Sequence, residues 1–392
     1  MKSLQELYQV PKSFHFSKIK KAYYSQKPGF IRGILSGELW RHQSLKLTLD
    51  CIFDSAQYEE LQNQATNNLS LWEKTKIEPP KRVDVVNQDF GEAALEATKI
   101  YGSAYAVLNM ASPLFPGGAF LQGGSAQEEN LWHRTSCASS LLSEGVYYDE
   151  ARKYFIYDEQ LRKFLLAQEK MNDEELGFLS FERKEKIPEA YKVFIGNKTE
   201  IFFRGPEVSF PTDFDENIEK VRFTADKKLS YTLLSKEKIF PFYELRSAAP
   251  EIHGEIDFQD KELLEKYTLD LRHRISAQLD TLILNGKKNV ILGAWGCGCF
   301  KNNPDLVAQI YLEEIDKRAA NFNHIIFPII DTEYQTKNLP IFKKYLDGLV
   351  LGRMDSKKDA RQTLNPHGLF MKNGANSEST MKVETKSFGN FY

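Results

Sequence analysis

The stretch Pro116-Gly117-Gly118-Ala119-Phe120-Leu121-Gln122-Gly123-Gly124-Ser125-Ala126-Gln127-Glu128-Glu129 decides how this chain is read. It lies between a predicted buried strand, Ala104 to Met110, and a predicted helix, Gln127 to Ser143. Glycines at a strand-to-helix turn let backbone N–H groups approach a ligand and converge as a concave nest. A helix N-terminus behind such a loop favours an anion. A second loop, Gly293-Ala294-Trp295-Gly296-Cys297-Gly298-Cys299-Phe300, has the same placement. It follows a predicted strand, Asn289 to Leu292, and precedes a helix opened by Asn303 as N-cap with Pro304 in the first turn. Two such loops at the carboxyl ends of neighbouring parallel strands form one cleft for two phosphates, and hence for a diphosphate. Neither loop is G-x-x-x-x-G-K-[ST], and neither fits G-x-G-x-x-G with a strand-end acid. Both features weigh against a Walker-type NTPase and a dinucleotide-dependent dehydrogenase.

Glu128 and Glu129 stand out beside a phosphate loop, because carboxylates repel phosphate. Ser125-Ala126-Gln127-Glu128 reads as a capping box, with Ser125 as N-cap, which gives Glu128 a structural role. Glu129 has no such role. A carboxylate aimed at an anionic ligand must hold hydroxyls or move a proton. The helix N-terminus favours its ionised form, whereas burial and a nearby diphosphate favour the neutral acid.

Outward from the loops, Val83-Asp84-Val85-Val86, a helix Gly91 to Ile100 and the strand Ala104 to Met110 read as a βαβ unit with a parallel pair. Residues 43–75 read as mixed helix and strand. In 144–240, Tyr154 to Glu175 reads as helical, and Phe202 to Phe210 and Lys238 to Leu245 as extended; the region is expected to be an insertion or subdomain. Apolar residues at helical spacing from Leu263 to Leu282 predict a long amphipathic helix over Asp260 to Asn285, and His324 to Ile330 a last buried strand. The expected organisation is an N-terminal extension over 1–80, a core over 81–350 with its insertion at about 144–240, and a disordered polar tail over 351–392. Residues 1–42 are basic, with Lys18, Lys20, Lys21, Lys27 and Arg32 among them and Tyr23, Tyr24 and Phe30 interleaved. A solvated arm is the preferred reading, and a phosphate-binding patch the alternative.

The 392 residues allow two or three domains, or one large α/β domain with insertions. A hydrophobic fraction of 42% with 27% charged residues permits a large core and excludes wholesale disorder. A net charge of −2 argues against a nucleic-acid-coating protein. Four cysteines, none in a C-x-x-C pair, exclude a disulfide scaffold and a common zinc motif, and point to a reducing, cytoplasmic compartment. Met1 to Phe14 has no apolar signal core, and no stretch reaches the ~20 apolar residues a membrane span needs. The expectation is a soluble protein without membrane contact. Trp295 is expected in the core, Cys297 and Cys299 as backbone-positioning residues, and His133, four residues after Glu129, as structural or in contact with it.

These residues resemble the microbial-type poly(ADP-ribose) glycohydrolase family, a branch of the macrodomains. The family's three glycines, six to eight residues and Gln-Glu-Glu are similar to Gly117-Gly118-Ala119, seven residues and Gln127-Glu128-Glu129, with Ala119 in place of the third glycine. Leu108-Asn109-Met110-Ala111-Ser112, Ala248-Ala249-Pro250, the second loop with Asn302-Asn303-Pro304, and Phe327-Pro328-Ile329-Ile330-Asp331 also resemble family segments. The resemblance spans roughly Gly33 to Leu346 with gaps. It implies a macrodomain-like three-layer α/β/α fold with a mixed central sheet, an N-terminal helical extension and an insertion.

By the same resemblance, Glu129 is the catalytic acid/base, and Glu128 holds ribose hydroxyls and the scissile bond. Asn109 contacts the reacting ribose and Phe300 packs on it. Gly117, Gly118, Ala119, Gly296, Cys297 and Gly298 cradle the diphosphate; Phe120, Gln127 and Asp331 complete the ADP-ribose-binding set. No metal or cofactor is implied. A left-handed backbone at Ala119 would cost ~1–2 kcal/mol. The function expected is release of ADP-ribose from poly- or mono-ADP-ribosylated substrates, with ADP-ribose, its polymer or an ADP-ribosylated protein as partner and no direct nucleic-acid binding. The alternatives are an ADP-ribose reader without catalysis, and a secreted effector reversing mono-ADP-ribosylation of a host protein. Retention of both glutamates favours the enzyme, since a reader needs neither carboxylate near phosphate.

Overall fold

The computed structural model describes residues 12–215, 220–252, 260–330 and 337–352. Asp331 and the polar tail from Arg353 lie outside the described residues. The first elements are helices: α1 (Lys12–Ser25), α2 (Phe30–Leu35), α3 (Glu38–Phe53) and α4 (Ser55–Glu73). Strand β1 (Arg82–Val86), helix α5 (Phe90–Tyr101), strand β2 (Ala106–Met110) and helix α6 (Gln127–Arg134) follow. The region after them holds β3 (Val146–Asp149), β4 (Tyr154–Tyr157), α7 (Glu159–Leu165), β5 (Glu169–Lys170), α8 (Asp173–Arg183), β6 (Tyr191–Lys192), β7 (Phe194–Ile195), β8 (Glu200–Phe202), β9 (Ser209–Asp215) and β10 (Lys220–Ala225). The chain continues through β11 (Phe240–Ser247), α9 (Lys261–Leu284), β12 (Asn289–Ile291), α10 (Pro304–Asp316), β13 (His324–Pro328) and α11 (Asn338–Leu346).

One mixed sheet organises the molecule, in the order β1-β13-β12-β2-β11-β7, with β8 also paired to β11. The five strands from β1 to β11 are mutually parallel, whereas β7 and β8 run antiparallel to β11. Side-chain alternation along each strand builds two cores. Val83, Leu108, Leu245, Val290 and Phe327 face one way, against α9, α10 and α11. Val107, Ile291 and Ile326 face the other way, against α4, α5 and α6. This is the expected α/β/α layering. The long helix α9 buries Leu271, Ile275, Leu279 and Leu282, as its spacing predicts.

Several local expectations change. Residues 38–73 are two helices, not mixed structure: Asp54 ends α3 and caps α4 by accepting from the backbone N–H of Ala56 and Gln57. Strands β1 and β2 are parallel but not adjacent, since β13 and β12 lie between them. The predicted helix from Gln127 stops at Arg134 and continues as a 3₁₀ segment, Ser136–Leu142. Tyr154 to Glu175 is β4, α7 and β5 before α8 begins, not one helix. Part of region 144–240 is not peripheral, because β7 and β8 complete the main sheet. From Lys12 onward the basic N-terminal region is no free arm: Ile19, Ala22 and Tyr23 of α1 are buried in the second core, and residues 1–11 lie outside the described residues.

Candidate active site

The two glycine loops meet because β12 pairs in parallel with β2, Val290 opposite Ala106 and Ile291 opposite Val107. Both loops therefore leave the same end of the sheet side by side, as the sequence predicts. A Cβ added to Gly293 would lie 2.6 Å from the Met110 Cε atom, so the two strand ends touch.

In the first loop, Gly117 and Gly118 are left-handed, with φ of 75° and 57°. Ala119 is not: its φ is −93° and ψ 23°, so the anticipated strain at the departure from glycine does not arise. A Cβ on Gly117 would lie 2.5 Å from the Trp132 ring, so this turn accepts no side chain. Gly123, at φ 83°, lies against the Glu38 carbonyl and lets the N-terminus of α3 close over the loop. Phe120 is buried and packs edge-on against Trp132 at 5.0 Å. Its ring belongs to the core beneath the loop.

The glutamates sit in the first turn of α6, both buried. Ala126, not Ser125, is the N-cap, and no side chain caps the helix, so the capping box does not form. Glu128 instead reaches back to the loop. Its Oε2 accepts from the Ser112 N–H at 2.6 Å and its Oε1 from the Gly117 N–H at 3.1 Å. Glu129 is held by one oxygen, Oε1, which accepts from the Ala119 N–H at 2.9 Å. Its Oε2 is buried with no hydrogen-bond partner among the described residues. Burial pushes Glu129 above the ordinary carboxyl range, against the opposing pull of the Ala119 N–H. Burial, and then the adjacent Glu129, push Glu128 well above that range. Both carboxyls are thus shifted towards their protonated forms relative to a free carboxyl, with burial as the main cause.

Gln127 serves the scaffold. Its amide donates to the Leu108 carbonyl at 2.8 Å and accepts from the Met110 N–H at 2.9 Å, pinning α6 to the end of β2. Asn109 is fully buried; its Nδ2 donates to Glu244 Oε1 at 2.7 Å, and its Oδ1 has no partner among the described residues. Glu244 in turn accepts from Arg246 at 2.7 Å. The sequence reading missed this pair. The signal was present: Glu244 and Arg246 are charges set in the apolar run of a central strand, Phe240 to Ser247. Ser112 was also missed, because its contribution is a backbone N–H.

The second loop is built by Asn302, which donates to the carbonyls of Gly296 at 3.0 Å and Pro250 at 2.8 Å. Gly296, at φ 73°, leaves no room for a Cβ beside that amide. A Cβ on Gly298 would meet nothing within 4 Å, so this backbone is open to a ligand. Trp295 is in the core, its Nε1 donating to the Ser247 carbonyl. Cys297 is buried and burial pushes its thiol up, which suits a backbone role and not a nucleophile. Phe300 is half-buried beside it. His133 stacks on Tyr231 at 5.0 Å, and burial depresses it to about 3, so it is neutral. No group of three metal-ligating side chains occurs among the described residues, and no described helix is long and apolar enough to cross a membrane.

Fold and site together define an α/β/α domain with two adjoining glycine loops and a buried carboxyl pair. Residues 47–161, which hold the first loop and both glutamates, match the microbial-type PARG catalytic domain. No curated protein matches the chain. Among solved structures, poly(ADP-ribose) glycohydrolase from Thermomonospora curvata is 21% identical, with TM-score 0.43, over 74% of this chain and 89% of that one. The enzyme from Deinococcus radiodurans in complex with ADP-ribose is 21% identical, with TM-score 0.42, over 72% and 91%.

Proposed function

We propose that this protein is a glycosidase that cleaves the ribosyl bond of poly- or mono-ADP-ribosylated substrates and releases ADP-ribose. The observation that carries this is the divided carboxyl of Glu129: one oxygen fixed by a loop N–H, the other buried, unpartnered and held in an environment that favours its proton. The match of residues 47–161 to a PARG catalytic domain supports it independently.

In this reading the backbone of Gly117, Gly118 and Ala119, with Gly296, Cys297 and Gly298, receives the diphosphate. The Asn109 Oδ1 and Glu128 accept from ribose hydroxyls; Glu128 keeps lone pairs free beyond its two N–H bonds. Phe300 packs on the ribose. As the anomeric C–O bond breaks, its electron pair stays with the leaving oxygen, which takes the Glu129 proton. Positive charge develops on the ribose and is stabilised by the diphosphate. A water oriented by that diphosphate adds to the carbon and passes a proton to the Glu129 carboxylate, which restores the acid. General acid catalysis supplies ~10²–10⁴-fold, and orientation of the ribose the remainder.

The test offers purified protein poly(ADP-ribose), arginine-linked and carboxylate-linked mono-ADP-ribosyl proteins side by side. Release of ADP-ribose, lost in Glu129→Gln while ADP-ribose still binds, is expected. Tight ADP-ribose binding with no release from any substrate would make the protein a reader instead.

A further inference from the structure

Helix α1 and the β3–β4 hairpin enclose an open cleft of about 820 Å³, lined by Lys20, Lys21, Tyr24, Tyr148, Glu150 and Lys153 among others. Lys20 and Lys153 form no ion pair among the described residues. Lys21 approaches Glu150 at 3.8 Å, with both side chains mostly exposed, so this pair is weak. Tyr24 presents an exposed ring, at 59% accessibility. Three cations, one anion and an open aromatic face suit a polyanion carrying aromatic bases.

The cleft is joined to the catalytic loop. Gln26, just past α1, donates to the Lys153 carbonyl at 3.0 Å. The next residue, Tyr154, accepts from the Gln122 amide at 2.5 Å and packs against Phe115 at 5.5 Å. Gln122 closes the 3₁₀ turn onto Ala119, whose N–H holds Glu129. A short chain of contacts thus runs from the acid to the lysines. Lys153 also occupies a left-handed position, φ 59°, in the hairpin turn, where glycine would be unstrained.

We propose that this cleft binds the next ADP-ribosyl unit of a polymeric substrate, its diphosphate among Lys20, Lys21 and Lys153 and its adenine against Tyr24. The proposal rests on the glycohydrolase reading above and makes the polymer the preferred substrate. It also gives a task to the basic, tyrosine-bearing segment that the two glycine loops leave unexplained.

The test is the triple variant K20A/K21A/K153A, with folding checked by circular dichroism. Lys153→Gly is the second variant, since it removes one charge and relieves the left-handed residue. Affinities for ADP-ribose, poly(ADP-ribose) and a single-stranded RNA of matched charge are measured from 50 to 200 mM salt, with ADP-ribose release from polymer and from a mono-ADP-ribosyl protein. The triple variant is expected to bind ADP-ribose and process the mono-linked protein as wild type does. Its polymer affinity should fall roughly 10-fold or more at low salt, with the log–log salt slope reduced by about 1.4, as losing the neutralisation of the two phosphates of one diphosphate on a single strand requires. Lys153→Gly should show about a third of that change in slope. Unchanged polymer affinity and slope, in a wild type that does release ADP-ribose, would overturn the inference and leave the glycohydrolase reading standing. An equal loss for RNA would reduce the cleft to a general polyanion surface and also overturn it. A wild type that neither binds nor releases ADP-ribose would remove the underlying reading, and this proposal with it.

Discussion

Gly118→Ala tests the site at its tightest point. The new Cβ would stand 2.5 Å from Glu129 Oε1 and 3.0 Å from Glu128 Oε2. Real Cβ atoms essentially never come closer than 3.0 Å to a neighbour, so the Glu129 carboxyl or the loop must give. The shift needed is about 0.5 Å or more, which is the tolerance of a catalytic group, and a 1 Å misplacement costs ~10²-fold. The φ of 57° adds a backbone cost of about 1–2 kcal/mol for any residue with a Cβ. The expected result is a folded, somewhat less stable protein whose kcat for ADP-ribose release is down ~10- to 100-fold. The assay is initial-rate release at saturating poly(ADP-ribose), with ADP-ribose affinity by calorimetry and stability by urea titration. Gly298→Ala is the matched control, because its methyl meets nothing within 4 Å and lies in the other loop. It should alter KM through the diphosphate and leave kcat unchanged. A Gly118→Ala protein with wild-type kcat would refute the claim that the anchored Glu129 carboxyl is the acid.

Three further outcomes follow from the same geometry. Glu129 must be protonated to act and its folded-state pKa lies above the ordinary value, so kcat should be flat at low pH and fall as pH rises through that raised value; a pH profile of kcat that rises instead would contradict its role as acid. Glu200 is half-buried, and desolvation of its carboxyl raises it to about 7, so its contribution to stability is present below the unfolded value near 4.5 and is lost as pH rises through 7. Glu200→Gln, which can still accept from Ser136, should therefore flatten stability between pH 5 and 8 by on the order of 3 kcal/mol in urea titrations. Asp89→Ala removes both the N-cap of α5 and the buried pair in which Arg134 donates to Asp89 at 2.7 and 2.9 Å; denaturant unfolding should show a loss of about 3–5 kcal/mol.

What the sequence made legible was whatever depends on local chemistry. The loop glycines, the Asn303–Pro304 helix start and the spacing of α9 each state their structure within a few residues. The capping box at Ser125 was misread because the same four residues admit two pairings for Glu128. The choice between a helix-end N–H and the N–H groups of Ser112 and Gly117 is made by tertiary folding of the loop. The packing of the Phe120 ring was not legible for a related reason. Its neighbours in sequence line the cleft, but the 3₁₀ turn from Phe120 to Gln122 swings its ring onto Trp132, twelve residues away. The adjacency of β1 and β2 failed because the two strands that separate them are formed by residues 289–291 and 324–328, far along the chain.

Ala119 shows how the two levels meet. Against the three-glycine signature it is a departure, and sequence alone charges it with strain. In the structure the left-handed turn is completed at Gly118, and Ala119 has the φ of −93° that any residue adopts. What the loop requires of this position is its N–H, which holds Glu129, and alanine supplies that N–H as well as glycine does. Ala119→Gly should therefore leave kcat unchanged and lower stability by about 0.5–1 kcal/mol, because glycine loses more backbone freedom on folding. A substantial gain in kcat, measured as ADP-ribose release from polymer, would show that the alanine methyl obstructs the diphosphate and that the cradle was drawn in the wrong place.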